Sequence, residues 1–96
     1  MTSRFRLALK ADADLRDVWL HVAQDSVDAA DRLIDRFTEK FEFLADHPGV
    51  GTRMDRYRPG LRAFSVGHYV VFFHLQDDAL VIYRVLHGAR NFDELL

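Results

Sequence analysis

The sequence predicts an α+β domain, a helical hairpin packed on a small, mostly antiparallel sheet in the order β-α-α-β-β-β. Three observations carry that expectation. Apolar residues recur at helical spacing between Leu15 and Leu44. A loop rich in proline, glycine and arginine follows at residues 47–60. Beyond it the chain turns to β-branched and aromatic runs separated by hairpin-length turns. Ninety-six residues fit one domain, residues 1–96, with a small core.

Arg4-Phe5-Arg6-Leu7-Ala8-Leu9 places Phe5, Leu7 and Leu9 on one side, the period of a short strand. Asp12 or Asp14 is then available to cap a helix. Leu15, Val18, Trp19 and Val22 form its apolar stripe. Asp25-Ser26 interrupts that stripe and offers a second cap. Ala30, Leu33, Ile34, Phe37, Phe41 and Leu44 make a longer stripe, which His47-Pro48-Gly49 stops.

Three strands follow, Leu61–Val66, Tyr69–Leu75 and Ala79–Leu86, divided by Gly67-His68 and Gln76-Asp77-Asp78. Alternation puts Tyr69, Val71, Phe73 and Leu75 on one face of the middle strand, with Val70 and Phe72 on the other. It puts Leu80, Ile82 and Leu86 on one face of the last strand and Val81, Tyr83 and Val85 on the other. Both faces of this meander are apolar, so both need cover. The helical hairpin covers one. A partner chain is expected over part of the second; the alternative is that the tail and the arginine loop fold onto it. Whether the first strand joins the sheet at its edge or beside the last strand is not readable from pattern.

Composition narrows the chemistry. There is no cysteine, which excludes disulfides, thiolate metal sites and cysteine nucleophiles. No apolar run reaches the ~18 residues of a membrane span, and no signal peptide is evident, so a cytoplasmic protein without a membrane partner is expected. The net charge of −2 conceals a division. Residues 12–46 hold ten acids against four bases, whereas residues 47–90 hold six arginines against three acids. The sharper reading is a basic surface for an anionic partner; the plainer one is a solvated helical face with scattered arginines.

No phosphate-binding glycine loop, metal-binding spacing or nucleophile elbow is present, and no cofactor or metal is expected. The five histidines are scattered, and each is read first as structural. One cluster invites chemistry: Arg62 in the first meander strand, and Arg84, His87 and Arg90 at the end of the last. In a ribonuclease His87 would move a proton while Arg62, Arg84 and Arg90 stabilise a charged phosphate. The alternative is that these arginines pair with helix acids or with a partner.

Three segments carry a family resemblance. Gly60-Leu61-Arg62-Ala63-Phe64-Ser65-Val66-Gly67-His68-Tyr69-Val70-Val71-Phe72-Phe73 resembles the ParE toxin signature of glycine, leucine, arginine, an aromatic, valine, then tyrosine and an apolar strand. Arg84-Val85-Leu86-His87-Gly88-Ala89-Arg90-Asn91 is similar to the family's closing segment, with Asn91 where aspartate is usual. Leu44–Gly51 resembles its helix-ending proline–glycine break. Together they span nearly the whole chain.

The resemblance implies the RelE/ParE fold and the toxin half of a type II toxin–antitoxin pair, neutralised by a cognate antitoxin. A ParE-type toxin poisons DNA gyrase and is not itself an enzyme. A RelE-type relative cuts messenger RNA on the ribosome, the alternative here. The sequence lacks a RelE-like lysine pair before the meander, and has Asn91-Phe92 where a catalytic tyrosine would be expected. Expected target contacts are Arg62, Arg84, His87, Arg90 and Phe92. Expected antitoxin contacts are Tyr69, Val71, Phe73 and Tyr83. A further possibility is a degenerate toxin kept only as a partner for its antitoxin.

Overall fold

The computed structural model describes residues 5–96. Its elements are β1 (Phe5–Leu7), α1 (Leu9–Ala23), α2 (Val27–Asp46), β2 (Thr52–Arg53), β3 (Arg62–Val66), β4 (Tyr69–Gln76), β5 (Ala79–His87) and α3 (Phe92–Leu95). The five strands form one sheet in the order β1-β5-β4-β3-β2. Only β1 runs parallel to its neighbour, β5; the remaining pairs are antiparallel. The first strand therefore lies beside the last and forms one edge of the sheet.

The strand expected through Leu9 is shorter. Ala8 still donates to the Ile82 carbonyl at 2.9 Å, but its own carbonyl accepts from Asp12 and begins the helix. Leu9 thus sits on the first helical turn, 90% exposed, instead of beneath it. The helix begins without a side-chain cap, so neither Asp12 nor Asp14 caps it. Asp12 stands in the first turn, where the helix dipole favours an acid, and pairs with Arg16 one turn on. Arg4 lies outside the described residues.

The second helix begins as its sequence suggests. Ser26 accepts from the Ala29 N–H at 3.1 Å, satisfying an otherwise unpaired donor of the first turn. Its stripe buries Ala30, Phe37, Phe41 and Leu44. Trp19 Nε1 donates to Asp31 at 2.8 Å, tying the two helices together. These helices cover one face of the sheet, meeting Val66, Val71, Phe73, Leu80, Ile82 and Val85.

Turn chemistry sets the meander. Asp77 and Asp78 both have positive φ, 52° and 64°, the requirement of a type I′ hairpin turn. Gly67 has φ 59° and supplies the positive-φ position of its turn. Between β4 and β5 the register breaks: Phe73 opposes Ile82, but Phe72 opposes Arg84. Tyr83 is the extra residue of a bulge, and an extra residue reverses the alternation beyond it. Hence Val85, expected on the face away from Ile82, packs with it, and Leu86 packs on the opposite face with Tyr83.

The second face is covered from within the chain. Met54 and Tyr57 of the arginine loop and Phe92, Leu95 and Leu96 of the tail pack on Leu61, Phe72 and Leu86. This corrects the expectation of a partner chain there: Phe72 is 0% exposed and Leu86 3%. The loop also contributes β2, two residues too short to show a strand pattern. Gly51 precedes it with φ 92°, and a Cβ there would lie 2.5 Å from the Ala63 carbonyl oxygen, so backbone contact reserves this position for glycine. Among the described residues no helix is long and apolar enough to cross a membrane.

Candidate functional site

The end of β5, the start of α1 and the tail converge. β1 leaves the sheet opposite Ile82, so among the described residues the outer edge of β5 has no strand partner beyond that point. Asp14 takes its place. One carboxylate oxygen accepts the Val85 N–H at 2.9 Å. The same carboxylate receives Arg84 through two bonds, Nε at 2.8 Å and Nη2 at 2.9 Å. The remaining Arg84 nitrogen, Nη1, donates to the Leu95 carbonyl at 3.0 Å. With side chains only 12% and 11% exposed, Arg84 and Asp14 join a helix, a strand edge and the tail. The hydrogen bonds that Asp14 accepts raise the Arg84 pKa above the ordinary arginine range, so the guanidinium stays charged.

Beside this clamp lies an open depression of about 360 Å³ bordered by Asp17, His21, Tyr69, His87 and Arg90. The His87 ring meets Tyr69 edge-on at 5.4 Å and stacks near His68 at 6.3 Å. Its Nδ1 accepts the Ala89 N–H at 3.0 Å, which leaves Nε2 as the proton-bearing atom of the neutral ring. Arg90 is exposed.

Of the four residues read as one cluster, the structure brings Arg84, His87 and Arg90 to the same end of the molecule. It does not bring Arg62 there. Arg62 lies on β3, separated from β5 by β4, and its Nη1 approaches the Gly51 carbonyl at 3.4 Å. Arg84 is spent on Asp14 and the tail. The alternative that these arginines pair with helix acids holds for Arg84.

Phe92 is a half-buried anchor, meeting Phe72 edge-on at 5.1 Å. Asn91 starts the last helical turn by accepting from the Asp93 N–H at 3.1 Å. Tyr57 donates to Asp93 at 2.6 Å and fastens the tail to the arginine loop. That hydrogen bond raises the Tyr57 pKa above the ordinary tyrosine range. The tail is thus held at three points: an aromatic contact, an arginine and a tyrosine.

The expected antitoxin contacts divide. Val71 and Phe73 are 0% and 1% exposed beneath the helices, which leaves them no side-chain surface for a partner. Tyr69 packs against Phe37 at 5.6 Å. Tyr83 lies on the opposite face, with Arg58 5.0 Å above its ring. Residues that the sequence did not mark for the site include Asp14, read there only as a possible helix cap, Tyr57 and Asp93. Asp14 was visible as an acid early in a helix, but nothing in its spacing pointed to a strand edge seventy positions away.

Comparison with known proteins places this arrangement. Residues 5–92 match the family model described as the ParE toxin of the type II toxin–antitoxin system parDE. The chain is 34% identical over 88 residues to Toxin ParE1 of Caulobacter vibrioides, covering 91% of each. It is 29% identical over 98 residues to Toxin ParE1 of Mycobacterium tuberculosis, covering 100% of each. Its fold is similar to that of a solved chain from the chromosomal ParDE toxin–antitoxin system of P. aeruginosa, with TM-score 0.71 and 20% identity over 90% of this chain and 98% of that one. The hairpin, the five-stranded sheet and these relatives define the toxin component of a type II toxin–antitoxin system. The chain belongs to the ParE toxin family.

Proposed function

We propose that this toxin acts on DNA gyrase, as a binding poison and not as a nuclease, and that a cognate antitoxin neutralises it in the cytoplasm. The observation that carries the reading is the engagement of Arg84 by Asp14 and the Leu95 carbonyl. A phosphate-cleaving site would need that guanidinium turned to substrate, with Arg62 beside it. Here Arg84 instead orders the tail. A pre-ordered segment binds a target at lower entropic cost than a disordered one. Arg90, His87 and the tail at residues 91–96 are the contact surface of this reading.

For the antitoxin, support points to a groove between the helices and β1. Phe5, Leu7, Leu15, Trp19, Ile34 and Phe41 line an apolar recess of about 410 Å³. An apolar recess of this kind suits the anchoring side chains of an amphipathic partner segment.

One observation favours messenger cleavage as the second reading. His87 is exposed, has its Nδ1 fixed by Ala89 and borders the same depression as Arg90. Growth arrest by variants separates the two. On the gyrase reading His87→Ala trims one contact of several and keeps most toxicity, whereas deletion of residues 91–96 removes it. Loss of growth arrest in folded, antitoxin-binding His87→Ala would favour the nuclease.

A further inference from the structure

The sheet divides the charge of the molecule. Helices α1 and α2, which carry the acid-rich segment, lie on one face; the arginine loop packs on the other. On that second face three exposed arginines have no carboxylate partner among the described residues: Arg6, Arg56 and Arg58. Arg6 points there because Phe5 and Leu7, its neighbours in β1, face the helices.

Each guanidinium is held by an uncharged group. Arg6 Nη2 donates to the Gln76 side-chain oxygen at 2.7 Å. Arg56 lies 4.5 Å over the Tyr57 ring and donates to its hydroxyl at 2.7 Å, which in turn donates to Asp93 at 2.6 Å, so a carboxylate stands one hydroxyl away but is not paired with Arg56. Arg58 lies 5.0 Å over the Tyr83 ring, whose edge also meets His74 at 6.1 Å. A guanidinium resting on an aromatic face keeps its charge and most of its N–H donors, and has less freedom to lose on binding an anion.

We propose that this face, centred on Tyr83, binds the phosphodiester backbone of nucleic acid. Three anchored guanidinium groups, none of them in an ion pair among the described residues, offer phosphate oxygens both charge and the forked donors of arginine. An acidic protein segment fits less well, because the apolar side chains that could anchor one on this face, Leu61, Phe72 and Leu86, are already buried under the loop and the tail. Here Tyr57 and Tyr83 are already covered by arginine. The net charge of −2 does not forbid the contact. The helical acids lie beyond the sheet, and charges more than about 10 Å away are largely screened at 0.1 M salt. The acids on this side are Asp55, bound to Arg53, Asp93, bound to Tyr57, Glu94 in the tail, and Asp77 and Asp78 at the hairpin tip. No base edge is read, so the contact is independent of sequence.

The test uses the complete purified chain and fluorescently labelled oligonucleotides: a duplex DNA of about 20 base pairs, its single strand, and the matching RNA. Anisotropy is read between about 50 and 200 mM salt. Three phosphate contacts predict a log–log slope of about −2.7 on the duplex, roughly a 40-fold weakening across that range. The combined Arg6→Gln, Arg56→Gln, Arg58→Gln variant should flatten the slope, while Arg32→Gln with Arg36→Gln on α2 should leave it unchanged. The three oligonucleotides distinguish DNA from RNA as the source of the phosphates. No binding at the lowest salt, or an unaltered slope in the triple variant, would overturn the proposal. So would displacement of the duplex by polyglutamate at lower concentration than by unlabelled DNA, an outcome that reads the face as a protein site and needs no variant. Gyrase is absent from the assay, so its result is independent of the gyrase reading.

Discussion

Arg84 and Asp14 stand 70 positions apart and meet through two parallel bonds of 2.8 and 2.9 Å. The pair closes the uncovered edge of β5, and through the Leu95 carbonyl it fixes the tail. Removing one member strands the other charge at a site only about a tenth exposed. Breaking such a pair costs about 3 kcal/mol. Asp14→Ala should therefore lower unfolding free energy by roughly that amount, and Arg84→Ala similarly, measured by urea denaturation. The double variant should cost less than the sum, since the second change removes the stranded partner.

The tail is both packing and surface. Phe92 fills the second face against Phe72. Phe92→Ala should cost about 2 kcal/mol, less than a fully buried phenylalanine because Phe92 is half-buried. Growth arrest should fall in parallel. A variant with full toxicity and disordered residues 91–96 would show that the tail's order is irrelevant to the target.

Tyr57 predicts an alkaline transition. Its pKa is raised chiefly by the hydrogen bond to Asp93, so the neutral form is favoured in the folded state. A raised folded pKa means the contribution is complete below the ordinary tyrosine range and is lost as pH climbs through the higher folded value. Amide exchange at residues 91–96 should accelerate over that alkaline interval in the parent chain. In Tyr57→Phe the exchange should already be faster at neutral pH and should lack this step.

Asp55 predicts the opposite limb. Its carboxyl is held below the ordinary range, first by the Gly60 N–H and then by Arg53. A depressed folded pKa gives stability that is present above the unfolded value and fades as pH falls through the folded one. The stability gap between the parent chain and Asp55→Asn should accordingly be constant near neutrality and shrink in acid. A gap that widened in acid would contradict this assignment.

How much of this was legible varied with the range of the interaction. The helix stripes from Leu15 to Val22 and from Ala30 to Leu44 were readable because each depends on residues three or four apart. The turns at Gly67 and at Asp77-Asp78 were readable because positive φ restricts residue type. The bulge at Tyr83 was not: it depends on the register of a partner strand, and its consequence was to exchange the faces of Val85 and Leu86. The role of Asp14 was hidden because an acid near a helix start also serves as a cap or favours the dipole. The cover of the second face was visible only as an alternative, since nothing local tells Met54, Tyr57 or Phe92 which sheet to meet.

Action of this ParE-family toxin on gyrase is decided by the supercoiling of relaxed plasmid by purified bacterial gyrase, with and without the toxin, beside ribosomes programmed with messenger RNA. A gyrase poison abolishes supercoiling or accumulates cut plasmid while the messenger stays intact, and deleting residues 91–96 removes both effects. Normal supercoiling together with cleaved messenger would contradict action on gyrase and would move His87 and Arg90 from a binding surface to a catalytic one.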